Sequence, residues 1–294
     1  MSSQTQLLIP KHFKSNQFEA GLNNSSYTSL LNKIIDSGFK NIELSGDLFL
    51  LLPHYFSPES IAELRALKSE LDLSLTVHLP LWSVEPSTPL DTVRNGSVNA
   101  LIDHIQHMSI LEPEIYVLHA TGALAAEFYR MNLPEIVKIY LLKDFKENAK
   151  SSIEIILSET GIENRKLAIE TIEFPLELTL EIADELDLSI CFDTGHILAG
   201  FSGKYDFFDA YALCSSRIAE IHLHDCPTQE NSIGYGQDHK PLGQGGLDVG
   251  KFLDCLAENQ FSGPIIFELG IEEAKESIRV IQELKPNLLI DLKG

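Results

Sequence analysis

Four cysteines in 294 residues, Cys191, Cys214, Cys226 and Cys255, are too scattered for a disulfide frame, and none forms the CxxC pair of a zinc ribbon. They read as free thiols of a reducing compartment. Basic residues are also few: 22 Lys and Arg stand against 43 Asp and Glu, a formal net charge of −21. That balance repels a polyanion, and no basic run offsets it, which argues against an extended nucleic acid as partner. Uninterrupted apolar runs long enough to span a bilayer are lacking, and residues 1–6 lack the basic-then-apolar order of a secretory signal. The expectation is a cytoplasmic protein that acts on a small-molecule substrate, with no membrane partner. The excess carboxylate falls largely in helix-like stretches such as 181–187 and 272–276, where solvated helix faces account for it.

What is present is a rhythm. An apolar fraction of 44% supports one large core, and 294 residues accommodate a single barrel domain, 1–294, without a linker. Eight β-rich runs alternate with helix-like stretches: 7–13, 41–45, 73–78, 114–119, 166–170, 188–193, 218–222 and 264–268. Parallel strands joined by helices follow, and eight such units close an α/β, (β/α)₈ barrel. Ser57-Pro58 reads as N-cap and first helical position, with Ile61, Leu64, Leu67 and Leu71 spaced for one face; Gly38 and Gly161 fit helix C-termini. The stretch 134–160 is helical in period, with room for a break. Residues 227–247, rich in Gly, Gln, Asn and Asp, are too polar to pack on a sheet and read as an active-site loop.

Six of the strands end in a potential metal ligand: His78, His119, Glu170, Asp193, His222 and Glu268. Barrels of this kind carry their chemistry at the C-terminal ends of the strands, so these side chains converge on one pocket. Residues two positions back, Thr76, Val117, Ala168, Cys191, Glu220 and Ile266, would share their inward direction, and most are small or apolar enough to fill an interior. A single histidine at a strand end is usually just hydrogen-bonded. Glu170 and Glu268 differ, because each closes an apolar strand where an unpaired carboxylate costs several kcal/mol. A bound cation is the economical compensation. Mixed imidazole and carboxylate donors suit Zn or Mn.

The segments Val77-His78-Leu79-Pro80, His119-Ala120-Thr121-Gly122, Ile169-Glu170-Thr171, Phe192-Asp193-Thr194-Gly195-His196, Ile221-His222-Leu223-His224-Asp225, His239-Lys240-Pro241-Leu242-Gly243-Gln244-Gly245 and Phe267-Glu268 together resemble the xylose isomerase-like barrels. Within these, the pattern is similar to the endonuclease IV branch, AP endonuclease family 2. The resemblance implies two or three divalent ions per chain. His78 and His119 would hold the first with Glu170 as a bridge; Glu170, Asp193, His222 and Glu268 would hold the second; His196 and His239 would hold a third. One departure stands out: two residues before His239 the branch carries Asp where this chain has Gln237, so Asp238 would have to substitute.

The implied activity is that of a metal-dependent phosphodiesterase, a hydrolase of small or medium-sized metabolites, with Glu170 and Glu268 in catalytic positions. The cobamide-remodelling phosphodiesterases of this family supply one candidate substrate. The alternative is a sugar isomerase or epimerase with one metal on Glu170, Asp193, His222 and Glu268, which would have no chemical need for both His78 and His119. Lys240, Arg94 and Trp82 are candidates for substrate contact; Arg130 and Lys204 are further cations that could meet a phosphate. His12 and Glu43 would line the pocket. His104 and His107 are assigned to a helix surface.

Overall fold

The computed structural model describes residues 27–48, 57–227 and 238–286. The expected strand 7–13, His12, and residues 228–237 of the loop 227–247, Gln237 among them, lie outside them.

Among the described residues, seven short parallel strands follow one another in the order of the sequence: β1 (Asn41–Ser45), β2 (Ser74–His78), β3 (Tyr116–Leu118), β4 (Leu167–Glu170), β5 (Ser189–Asp193), β6 (Ile218–His222) and β7 (Ile265–Ile266). Each pairs with the next, and β1 also touches β7, so the sheet curls into a nearly closed barrel. All seven fall on expected runs.

The period of two sets which side chains meet the helices and which fill the barrel. Leu75, Val77, Tyr116, Leu118, Leu167, Ile169, Ile190, Phe192 and Ile221 belong to the main core. The alternate positions, Val117, Ala168 and Cys191, form a separate small apolar cluster with Ile115. One step further along the same face come His119, Glu170 and Asp193. Glu220 breaks the expectation of small, apolar filling: it is fully buried, and Thr76 Oγ1 donates to it across the barrel at 2.9 Å.

Ten helices flank the strands among the described residues: α1 (Tyr27–Ile35), α2 (Pro58–Leu71), α3 (Asp91–Met108), α4 (Ala123–Arg130), α5 (Glu135–Thr160), α6 (Leu176–Glu185), α7 (Thr194–Ala199), α8 (Phe207–Cys214), α9 (Val249–Glu258) and α10 (Ile271–Leu284). Ser57 caps α2 by accepting from Ser60 N at 3.2 Å, ahead of Pro58. Gly161 closes α5 in the left-handed region at φ 66°, and Gly38 follows α1 at φ 93°. The break allowed for in 134–160 does not occur. From Glu135 onward the stretch carries neither Gly nor Pro, and α5 runs unbroken for 26 residues.

His104 is a correction. It is buried, because on α3 it shares the core-facing stripe of Leu101, Ile105 and Met108, whereas His107 points outward as expected. The four cysteines are free thiols. No helix among the described residues is long and apolar enough to cross a membrane.

Candidate metal centre

The strand-end side chains meet at one end of the barrel. Glu170, at the last position of β4, lies at their centre. Its Oε2 is 3.0 Å from His78 Nε2 and 2.7 Å from His119 Nε2, while its Oε1 is 3.3 Å from His222 Nδ1 and 3.5 Å from His196 Nδ1. One carboxylate thus faces different imidazoles with its two oxygens, as a bridging ligand must. Glu170, Asp193, His222 and Glu268 form a second group whose donor atoms lie within 4.8 Å of one another.

Hydrogen bonds on the far sides of the rings fix which nitrogen faces inward, as expected of ligands held by an outer shell. His78 Nδ1 donates to Leu79 O at 2.9 Å, leaving Nε2 toward Glu170. His222 Nε2 donates to Glu43 Oε2 at 3.2 Å. Its Nδ1 is buried with no hydrogen-bond partner and faces Glu170, Glu268 and Asp193 at 3.3, 3.6 and 3.7 Å. An orphaned imidazole nitrogen amid three carboxylates fits a cation as common partner.

Threonines in the motifs supply the scaffolding. Thr171 Oγ1 accepts from Asp193 N at 2.9 Å, and Thr171 O accepts from His196 Nδ1 at 2.9 Å. Thr194 Oγ1 donates to His224 O at 2.6 Å and accepts from His224 N at 3.0 Å. Asp193 caps α7, with Oδ1 accepting from His196 N at 2.7 Å, which leaves Oδ2 for the imidazoles. Asp225 shapes the loop after β6: Oδ2 accepts from Gly243 N and Gly245 N at 3.0 and 2.9 Å, and Oδ1 accepts from Leu247 N at 3.0 Å. This loop delivers His239, whose Nε2 lies 2.9 Å from Glu268 Oε2, and Asp238, whose Oδ2 is 3.0 Å from His239 Nδ1 and 3.4 Å from His196 Nε2. His196, Asp238 and His239 thus form a further group whose donor atoms lie within 4.8 Å of one another.

The electrostatics are those of a cation trap. Burial should raise the Glu170 and Asp193 carboxyls, yet His119 and His222 beside the one, and His196 and His224 beside the other, hold both well below the usual range. Glu268 is lowered to about 2 against its burial by His222 and His239. Burial opposes charge on His196 and His239 as well, but Asp193 and Asp238 raise the first to about 9, and Asp238 and Glu268 raise the second to about 10. On His119 burial prevails and lowers it, whereas on His78 Glu170 and Glu43 overcome burial and raise it. Protons on these rings are what a divalent ion would displace. Burial pushes the Cys191 thiol far up, so the donor set stays nitrogen and oxygen.

A cleft of about 540 Å³ opens beside His119 and His196, lined among others by Trp82, Glu85, Arg130 and Phe201. Of the candidates for substrate contact, Trp82 lines this cleft. Arg94 does not: it is spent on Thr88 O and Asp91 at the start of α3. Lys240 is half-buried, its backbone bridged to Asp225, and Lys204 is exposed. Arg130 lines the cleft as well, ion-paired with Glu173. Two residues near the metal-binding groups were not among the expected ligands. His224 sits in a group with His239 and Glu268, and Glu220 in one with Glu43 and His222. Glu220 shares the period-two direction of His222, whereas His224 lies past the end of β6.

A family model described as xylose isomerase-like TIM barrel matches residues 31–284. A protein of Methanocaldococcus jannaschii described as uncharacterized is 26% identical over 269 residues, covering 88% of this chain and 84% of that one. A crystal structure of a D-tagatose 3-epimerase-like protein superposes with a TM-score of 0.70 at 24% identity, covering 91% of this chain and 96% of that one. Endonuclease IV from Thermus thermophilus superposes with a TM-score of 0.61 at 20% identity, covering 86% and 92%. At these identities the two structures speak to fold alone. With the family model spanning nearly the whole barrel, the chain belongs to the xylose isomerase-like TIM-barrel family.

Proposed function

We propose that this protein is a metal-dependent phosphodiesterase that hydrolyses a small or medium-sized metabolite. The observation that carries this reading is the convergence of His78 and His119 on one oxygen of Glu170, while the other oxygen faces His222. A carboxylate shared in this way suits two neighbouring ions. When bound, divalent ions such as Zn or Mn polarise a phosphoryl oxygen and lower the pKa of water.

The chain's own residues supply the rest. Glu170 and Glu268 hold negative charge at the centre, and the hydrogen bonds of Leu79, Thr171 and Glu43 keep the imidazoles in one tautomer. The cleft beside His119 is the natural seat for the alcohol portion of the substrate, with Trp82 and Phe201 as apolar walls and Arg130 as a cation for a phosphoryl oxygen. Lys240, on the loop that carries His239, is the second cation. A cobamide is a candidate whose nucleotide portion alone would enter a cleft of this size. The surplus of acidic groups argues against DNA.

A sugar epimerase is the second reading. It is favoured by the self-contained group Glu170, Asp193, His222 and Glu268, in which two glutamates could exchange a proton with a ketose. A screen with metal-loaded protein separates the two: phosphodiesters including an intact cobamide in one arm, ketoses in the other, and abasic duplex at low salt as the permissive test for DNA. Hydrolysis in the first arm alone supports the proposal; epimerisation alone, or efficient incision of the duplex, sinks it.

A further inference from the structure

His224 lies just past the end of β6 and is fully buried, yet the resemblance gives it no role. Its Nδ1 donates to Asp238 O at 2.7 Å, which leaves Nε2 to face the other groups of the centre. That nitrogen points at two carboxylate oxygens, Asp193 Oδ2 at 3.0 Å and Glu268 Oε2 at 3.9 Å. A proton or a metal ion must lie between this nitrogen and the two oxygens, and a divalent ion bound here would displace the proton. The ring also stacks on His239, with centroids 4.2 Å apart and planes at 8°, and His239 Nε2 reaches the same Glu268 oxygen at 2.9 Å. Two parallel imidazoles present Nε2 to one carboxylate oxygen, and the three donor atoms lie within 4.8 Å of one another.

His239 has a choice that His224 settles. A histidine binds an ion through one nitrogen and hands the other N–H to an outer partner. If His239 used Nδ1, the ion would lie toward Asp238 and His196; if it used Nε2, the ion would lie toward Glu268. His224 can serve only the Glu268 side, because its Nδ1 is committed to the Asp238 backbone. Asp238 then accepts from His224 through its carbonyl, and its carboxylate lies 3.0 Å from His239 Nδ1.

We propose that His224 is a metal ligand in this chain, holding a divalent ion together with His239 Nε2 and Glu268, and that Asp238 orients the two imidazoles instead of binding the ion. The departure at Gln237 is thereby accounted for: a carboxylate ligand is missing from the loop, and an imidazole after β6 takes its place. The inference rests on the chain binding divalent ions, and not on which bond it cleaves.

The test counts ions. Full-length wild type, His224→Gln, His224→Phe and Asp238→Asn are stripped with a chelator, equilibrated against Zn or Mn, and analysed for bound metal, with circular dichroism as a check on folding. Both His224 variants should hold one ion fewer than wild type, or bind one ion more weakly by more than the roughly 10–100-fold that loss of an outer partner costs. Asp238→Asn should keep the full number. An unchanged ion count and affinity in a folded His224 variant overturns the proposal, as does loss of an ion from Asp238→Asn but not from the His224 variants. Should neither His224 variant fold, the ¹⁵N signals of the wild-type imidazoles decide: zinc should shift Nε2 of His224, and an unmoved signal overturns the assignment. A wild type that binds no ion sinks this inference and the hydrolase together, whereas ions without phosphodiester cleavage sink only the hydrolase.

Discussion

A Cβ placed on Gly195 would stand 2.1 Å from Cε1 of His224, so the glycine of the Asp-Thr-Gly-His segment is a steric requirement of the ring beside it. The Asp238 carbonyl, 2.5 Å from the same point, closes the other side. Neither neighbour is the free end of a flexible side chain. Gly195→Ala is therefore expected to displace His224 and weaken metal binding about 10–100-fold in a competition titration. Helix propensity works the other way, favouring Ala by roughly 0.8–1 kcal/mol within α7, so wild-type affinity in the variant would show that the ring has room to move.

Asp225 offers a stability test away from the ions. Its carboxylate accepts backbone N–H groups from Gly243, Gly245, Leu247 and Cys226. An amide in its place has one acceptor oxygen and turns an NH₂ toward donors. Asp225→Asn should cost about 1–3 kcal/mol for the buried groups left unpaired, read as a lower urea midpoint. Coincident unfolding curves would mean that the loop is held by other contacts.

His104 predicts a pH dependence. Burial first, then the neighbouring His107, lowers it to about 4 from an ordinary value near 6.5. Between those values the unfolded chain binds a proton that the folded chain refuses. The stability tied to this residue is thus complete above pH 6.5 and falls as pH drops toward 4, by on the order of 3 kcal/mol in all. His104→Gln removes the titration. The stability of wild type relative to the variant should decline across that window, and a difference that stays flat with pH would contradict the burial argument.

Much of this was legible in the sequence, for a reason that His78, His119, Glu170 and Asp193 make plain. On a strand, burial and direction alternate with period two, so a polar residue that closes an apolar run is marked both as inward-facing and as costly unless partnered. The seven described strands fall on their expected runs by the same logic. His104 was not legible, because a histidine on a helix stripe is compatible with either face until the packing partners are known. His224 was hidden for a different reason. It lies beyond the strand, where the period of two no longer carries authority, and its partners Asp238 and His239 arrive from a loop shaped by Asp225. The position of Asp238 opposite His196 likewise depends on that loop's path, which residue spacing does not specify.

A dinuclear centre built on His78, His119 and Glu170 is proposed to perform hydrolysis. The most direct measurement is the turnover of bis(4-nitrophenyl) phosphate by metal-loaded wild type, His119→Ala and Glu268→Gln, each confirmed as folded. Wild type is expected to hydrolyse the diester and both variants to lose about 100-fold or more, since removing a ligand should cost at least as much as removing an outer partner. Near-normal hydrolysis by folded His119→Ala would contradict this proposal, and so would a wild type that leaves the diester intact while epimerising a ketose in a reaction that Glu268→Gln abolishes and His119→Ala does not.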